Sequence, residues 1–213
     1  MKIVQIDLSR DYSDVVKEAI RILKLGGVIV YPTDTLYALG ANALEETPVR
    51  KIFAIKRRSF AKPLPIVIKN ILWANELAYI RPKIQPVLEK IWPGQVTAIL
   101  PKKEIVPAVL TATNKTIGMR IADHPLVDQL LGRFGYPLTS TSANISGDEP
   151  TRDINVITQL FASIGPRPDL IIDAGTLPPS PPSTIVDLTG DRPKILRVGA
   201  TKPEFLLQLL DGI

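Results

Sequence analysis

Gly26-Gly27-Val28-Ile29-Val30-Tyr31-Pro32-Thr33-Asp34-Thr35-Leu36-Tyr37 carries the first decision about the fold. Paired glycines stop a helix, because the left-handed conformation they favour closes one and continues none. Four apolar β-formers then run without alternation, the pattern of a strand buried on both faces. Proline ends that strand, and Leu36–Leu39 reads as a further strand-like segment. Just upstream, residues 13–25 place Val15, Val16, Ala19, Ile20 and Leu23 on one helical face. A helix, a glycine stop and a buried strand in that order describe one layer of an α/β protein.

Outward from that stretch, strands and helices alternate. Ile3–Leu8 is a strand. Thr47-Pro48 starts a helix, with the threonine hydroxyl as N-cap. Pro65–Ile68 is a strand and Pro82–Ile91 a helix that Trp92-Pro93-Gly94 breaks. Val96–Leu100 and Thr116–Ile121 are strands, Pro125–Phe134 is a helix, and Leu138–Ser142 is a strand. Residues 154–163 form a helix. Leu170–Ile172, Thr184–Leu188 and Ile195–Val198 are strands, and Pro203–Leu210 closes the chain as a helix. Helices do not follow every strand, and several strands succeed one another after residue 165, so a clean doubly wound pattern is excluded. The expectation is an α/β (α+β-like) fold, a twisted mixed β-sheet with flanking helices, in a single domain over residues 1–213.

Composition removes several kinds of chemistry. The chain has no cysteine and one histidine, His124. Disulfides, thiol catalysis, Cys-ligated zinc and multi-histidine metal sites are therefore excluded, and a Ser-His-Asp triad could only be built around His124. Any metal is expected as a hard, oxygen-bound ion arriving with a phosphate substrate. A net charge of +5, from 26 basic and 21 acidic residues, favours anionic partners. No run of 18 apolar residues occurs and the first residues lack a signal-peptide pattern. A cytoplasmic protein with no membrane association is expected.

Four segments carry candidate chemistry. In Tyr31–Tyr37, Thr33, Asp34 and Thr35 follow a buried strand, where rigidly held hydroxyls can meet a ligand; the same residues suit a plain turn. From Arg50 to Lys62 lie Arg50, Lys51, Lys56, Arg57, Arg58 and Lys62 with no acidic residue between them. Lys56, Arg58 and Lys62 could converge on a triphosphate, or simply complement a helix C-terminus in solvent. In Leu138–Gly147, Thr139, Ser140, Thr141, Ser142, Asn144 and Ser146 offer neutral donors at a strand end, and Thr151 extends the polar run; an edge strand with a turn has the same pattern. Arg120 interrupts a buried-type strand and needs a carboxylate or an anionic ligand. His124, just before a helix, reads as a cap or turn residue. Neither G-x-x-x-x-G-K-[ST] nor G-x-G-x-x-G occurs, so side chains rather than a glycine loop would have to cradle a phosphate.

In this order, these segments resemble the YrdC-like domain of threonylcarbamoyl-adenylate synthases, also called TsaC. The matching stretches are Gly26–Tyr37, Lys56-Arg57-Arg58 with Lys62-Pro63-Leu64, Trp92–Thr97, Ile117-Gly118-Met119-Arg120 with His124-Pro125, Ser142–Gly147, Pro182–Asp187 and Arg197-Val198-Gly199. They span nearly the whole chain. The resemblance implies a concave face that carries the site. It implies condensation of L-threonine, bicarbonate and ATP, the last with Mg²⁺, to threonylcarbamoyl-AMP and pyrophosphate. Transfer machinery then carries the threonylcarbamoyl group to tRNA beside the anticodon. Lys56 and Arg58 would contact the ATP phosphates as the catalytic cations, with Lys62 nearby. Thr116, Ser140, Asn144, Thr151 and Arg197 would face the nucleotide. Thr35, Arg120, Ser142 and Ser183 would surround the threonine.

Two features depart from that pattern. Ala38 stands where most such synthases have glycine, and Tyr37-Ala38-Leu39-Gly40 with Thr116–Arg120 is similar to the YciO branch. Two rival readings follow: a non-catalytic protein binding double-stranded RNA or tRNA, and another enzyme handling a carbamoyl-adenylate. Aromatic residues are 6% of the chain and, by sequence, do not interleave with the basic run, which leaves base stacking on RNA unsupported.

Overall fold

A computed structural model of the chain describes residues 1–211. Helix α1 (Ser13–Lys24) is stopped by Gly26, whose φ of 70° suits a residue without Cβ; the Gly26 and Gly27 amides donate to Leu23 and Ile22. The chain then enters β2 (Ile29–Pro32), buried at every position, and turns back antiparallel as β3 (Tyr37–Gly40) with Val30 opposite Leu39. Alternate residues of β2 serve two cores. Val28 and Val30 pack with Leu39 into the larger one, while Ile29 and Tyr31 pack with α1 and with α5 (Pro125–Phe134) in the smaller. A strand between two apolar layers needs no polar face, which explains its continuous apolar run.

The strands form two mixed sheets where one was expected. The first runs β1 (Lys2–Gln5), β9 (Leu170–Asp173), β2, β3, β8 (Thr141–Ser142). The second runs β11 (Lys194–Arg197), β10 (Thr184–Asp187), β5 (Val96–Pro101), β6 (Thr116–Arg120), β4 (Ile66–Val67), β7 (Leu138–Thr139). Residues 138–142, expected as one strand, are shared between them. Thr139 pairs with Ile66 in the second sheet, and Ser142 pairs with Ala38 in the first. At the crossing the Thr139 amide donates to the Ala41 carbonyl at 3.0 Å and the Ser140 amide to the Pro65 carbonyl at 2.8 Å. The segment therefore keeps its backbone bonded while passing between sheets, and it delivers its hydroxyls to the space there.

The remaining helices are α2 (Glu46–Lys56), α3 (Ile71–Leu77), α4 (Gln85–Ile91), α6 (Ile154–Ser163) and α7 (Pro203–Leu210). α2 begins earlier than Thr47-Pro48 suggests: Glu45 holds the N-cap position and no side chain caps it, so Thr47 lies inside the first turn. α3 was not anticipated; the Asn70 side chain caps it by accepting from the Trp73 amide at 3.1 Å. Among the described residues, no helix is long and apolar enough to cross a membrane.

Candidate anion-binding cleft

The second sheet supplies a floor. Thr97 and Ile99 of β5, and Thr116, Gly118 and Arg120 of β6, line an open cavity of about 490 Å³. The alternate residues Val96, Ala98, Ile117 and Met119 point into the core, as the two-residue repeat of a strand requires. The Thr33–Ala38 hairpin, residues 140–148, the end of α2 with Arg58, and Pro182–Ser183 with Arg197 form the walls. The volume falls within the range of small-molecule sites. Gly199 closes one wall: a Cβ there would collide with the Pro182 carbonyl and with the Ser183 backbone, so only glycine lets these segments meet.

Four cations face this cavity. Arg120 is buried and donates from Nη1 to Asp34 Oδ1 at 2.8 Å. Its Nη2 and Nε have no protein acceptor among the described residues. Arg58 donates from Nε to the Lys62 carbonyl (3.1 Å) and from Nη2 to the Pro63 carbonyl (2.9 Å), which leaves Nη1 unspent. Arg197 clasps Ser183 through Nε and Nη2, at 3.1 and 2.7 Å from its carbonyl oxygen, and also leaves Nη1 unspent. Burial lowers the pKa of both Arg58 and Arg197, with the Arg120 charge adding to the effect at Arg197. Lys56 is 1% exposed, and its ammonium donates to the Ser142 carbonyl (2.6 Å), the Asn144 carbonyl (2.8 Å) and Asn144 Oδ1 (2.9 Å). Burial, helped by the Arg58 charge, pushes its pKa down to about 7. Asp148 is the carboxylate among the lining residues, so positive potential dominates the cleft.

Hydroxyls fill the spaces between the charges. Thr33 Oγ1 lies 3.2 Å from Thr35 Oγ1, Thr97 Oγ1 lies 2.9 Å from Ser183 Oγ, and Ser142 Oγ donates to Asn144 Oδ1 at 2.7 Å. Gln95 Nε2 donates to the Asp34 carbonyl at 2.7 Å and so ties the hairpin to the edge of β5. A rigid set of uncommitted N–H and O–H groups around surplus positive charge can bind a polyanion and stabilise charge that moves along it.

The cleft brings together Thr35, Lys56, Arg58, Thr116, Arg120 and Ser140, and with them Ser142, Asn144, Ser183 and Arg197. Lys62 and Thr151 are not among its lining. The Lys62 side chain is exposed, and its carbonyl instead receives Arg58. Thr151 Oγ1 accepts from the Asp153 amide in the turn before α6. His124 stands at the N-cap of α5 but makes no capping bond, and its buried Nδ1 has no partner among the described residues. Burial lowers its pKa against the pull of Asp34 and Asp123. With Nδ1 unpartnered, no triad forms around it among the described residues. Thr33 and Ser146, offered as hydroxyl donors, also line the cleft, and Thr97 and Gly118 line it without having been given a role. For Thr97 and Gly118 the signal was available: they alternate with buried apolar residues on strands already recognised. Phe60 sits within the basic run, 52% exposed, packed on Phe53 with Arg50 5.6 Å above its ring, so an aromatic does interleave there.

Fold and cleft together define an α/β protein with a positively charged, hydroxyl-lined cleft on the floor of a sheet. The chain belongs to the Sua5/YciO/YrdC family: the family model of that name, described as telomere recombination, matches residues 21–199. It is 37% identical over 174 residues to a putative threonylcarbamoyl-AMP synthase of Methanocaldococcus jannaschii, an alignment covering 82% of this chain and 80% of that one. Its fold is similar to P. abyssi Sua5 complexed with L-threonine, with a TM-score of 0.93 and 31% identity. That match covers 100% of this chain but 62% of the Sua5 chain, so this chain spans less than two thirds of that relative. It is also similar to E. coli YciO, with a TM-score of 0.83, 27% identity and 98% of each chain covered.

Proposed function

We propose that the chain is an L-threonylcarbamoyladenylate synthase. It condenses L-threonine, bicarbonate and ATP to threonylcarbamoyl-AMP, pyrophosphate and water, and so supplies the activated group for threonylcarbamoyl-adenosine in tRNA. The observation that carries this reading is the convergence of Arg58, Arg120 and Arg197, each with unspent N–H donors, on one hydroxyl-lined cavity.

The chemistry suits that lining. Threonine nitrogen and bicarbonate give a carbamate, already an anion, so no strong general base is needed. A carbamate oxygen forms a bond to the α-phosphorus, the bond to the bridging oxygen of the β-phosphate breaks, and pyrophosphate leaves with the electron pair. Two anions must be held together while charge grows on the leaving group. Arg58 and Arg197, both in the cavity's lining, take the triphosphate. Arg120 takes the carboxylate of threonine, with Thr35, Ser142 and Ser183 around it, and Thr116, Ser140 and Asn144 face the nucleotide. Mg²⁺ enters as the counterion of the ATP substrate. Among the described residues there is no group of three or more His, Cys, Asp or Glu that could hold a metal ion.

Pyrophosphate release tests the reading. With ATP, bicarbonate and each amino acid in turn, release depends on threonine. Release with carbamoyl phosphate instead would point to another carbamoyl-adenylate enzyme. RNA binding has one observation of its own, the half-exposed Phe60 beneath Arg50. RNA binding without pyrophosphate release would favour that second reading.

A further inference from the structure

The resemblance gives Lys56 and Arg58 one task, as phosphate contacts. Their surroundings separate them. Arg58 leaves Nη1 free at the cavity, whereas all three N–H bonds of the Lys56 ammonium end on protein oxygens. Those oxygens belong to residues 142 and 144, 86 and 88 positions away in sequence. The same segment is fixed from its other side: the Ser146 amide donates to the Lys56 carbonyl at 2.8 Å. Arg57, the C-cap of α2, follows at φ 49°, the left-handed conformation that ends the helix there. Asn144 is held by three bonds, with one N–H of Nδ2 left over. Its Oδ1 accepts from Lys56 and from Ser142 Oγ, and its Nδ2 donates to the Asp148 carbonyl at 2.6 Å.

We propose that Lys56 is a positioning residue. Its buried ammonium knots the Ser142–Asp148 segment to the end of α2 and acts on the nucleotide through Ser142 and Asn144, leaving phosphate contact to Arg58 and Arg197. A phosphate contact by Lys56 would require breaking one of three short bonds in a site almost closed to water, where an orphaned carbonyl is costly. Neutral oxygens hold the ammonium without a counter-charge, so Lys56 adds to the positive potential of the cleft only while it is protonated.

The proposal rests on the synthase reading for its effect on ATP, but the knot itself is measured without ligand. Hydrogen–deuterium exchange of residues 142–148 is compared in the ligand-free wild type, Lys56→Met and Arg58→Ala. Lys56→Met accelerates exchange of that segment by about tenfold or more, and Arg58→Ala leaves it unchanged. In a double-mutant cycle on ATP affinity, Lys56→Met and Asn144→Ala together lose far less than the product of their separate losses. The two single variants also share one split between KM and kcat, distinct from that of Arg58→Ala. Unchanged exchange in Lys56→Met, or losses that multiply in the cycle, would overturn the proposal. If Lys56→Met does not fold, Asn144→Ala reads the knot from its other end: faster exchange of 142–148 supports it and unchanged exchange overturns it. A wild type that binds no ATP strikes the proposed function and leaves the exchange result to decide the role of Lys56.

Discussion

Arg120 and Lys56 are two buried cations in one cleft, and the chain accommodates them by different means. Arg120 meets a carboxylate, Asp34, at 2.8 Å, with both side chains less than a tenth exposed. Lys56 meets three neutral oxygens and no carboxylate. The first arrangement cancels charge and keeps geometry; the second leaves the ammonium without a counter-charge and fixes a loop. A site for a polyanion needs both, since a cleft whose cations were all paired would have no potential left, and one with none anchored would have no shape.

The largest expected effect comes from breaking the paired side. Arg120→Ala strands the Asp34 carboxylate, whose Oδ2 already lacks a partner among the described residues. Removing one member of a buried pair costs about 3–5 kcal/mol, read as a fall in the urea midpoint, and Asp34→Asn costs less because its amide oxygen can still accept from Arg120 Nη1. Arg58→Ala comes next. It lowers turnover about 10²-fold, as for a charge contact on a departing group. Its unfolding midpoint stays near wild type, because the protein partners of Arg58 are loop carbonyls.

A smaller effect sharpens the unpaired side. Lys56 titrates with a midpoint near 7 in an NMR titration of its side chain, against 10.5 for an unperturbed lysine. Between those values the unfolded chain holds a proton that the native chain has released, so this group makes stability rise with pH over that window. Lys56→Met loses that slope. A midpoint at the ordinary lysine value would mean that the three oxygens outweigh burial. The smallest effect belongs to Lys62→Ala, which changes turnover by less than about twofold, because the exposed side chain lies outside the cleft and only its carbonyl is used.

The helices were legible where periodicity and punctuation agree. α5 and α6 run over the residues expected, and α1 ends one residue before residue 25. α3 was hidden because seven residues are too few to show a helical period, although Asn70 marks its cap. The division into two sheets was not legible, since it depends on pairings such as Lys2 with Leu170 and on a single segment serving both. Within the site, Arg120 and the 140–144 hydroxyls stood out as polar residues in apolar surroundings. The distinction between Lys56 and Arg58 did not, because the acceptors of Lys56 lie far along the chain and two of them are backbone oxygens. Adjacency in sequence likewise did not separate Lys62, which shares the basic run but is exposed and is not among the residues that line the cavity.

The central claim is that this cleft joins a threonine-derived carbamate to AMP. Incubation with ATP, L-threonine and ¹³C-bicarbonate, followed by mass spectrometry, tests it directly. The expected product is an AMP conjugate carrying the threonine and one labelled carbon, formed in step with pyrophosphate and about 10²-fold more slowly by Arg58→Ala. Pyrophosphate release with no labelled carbon in the AMP product, or no conjugate at all, would contradict it.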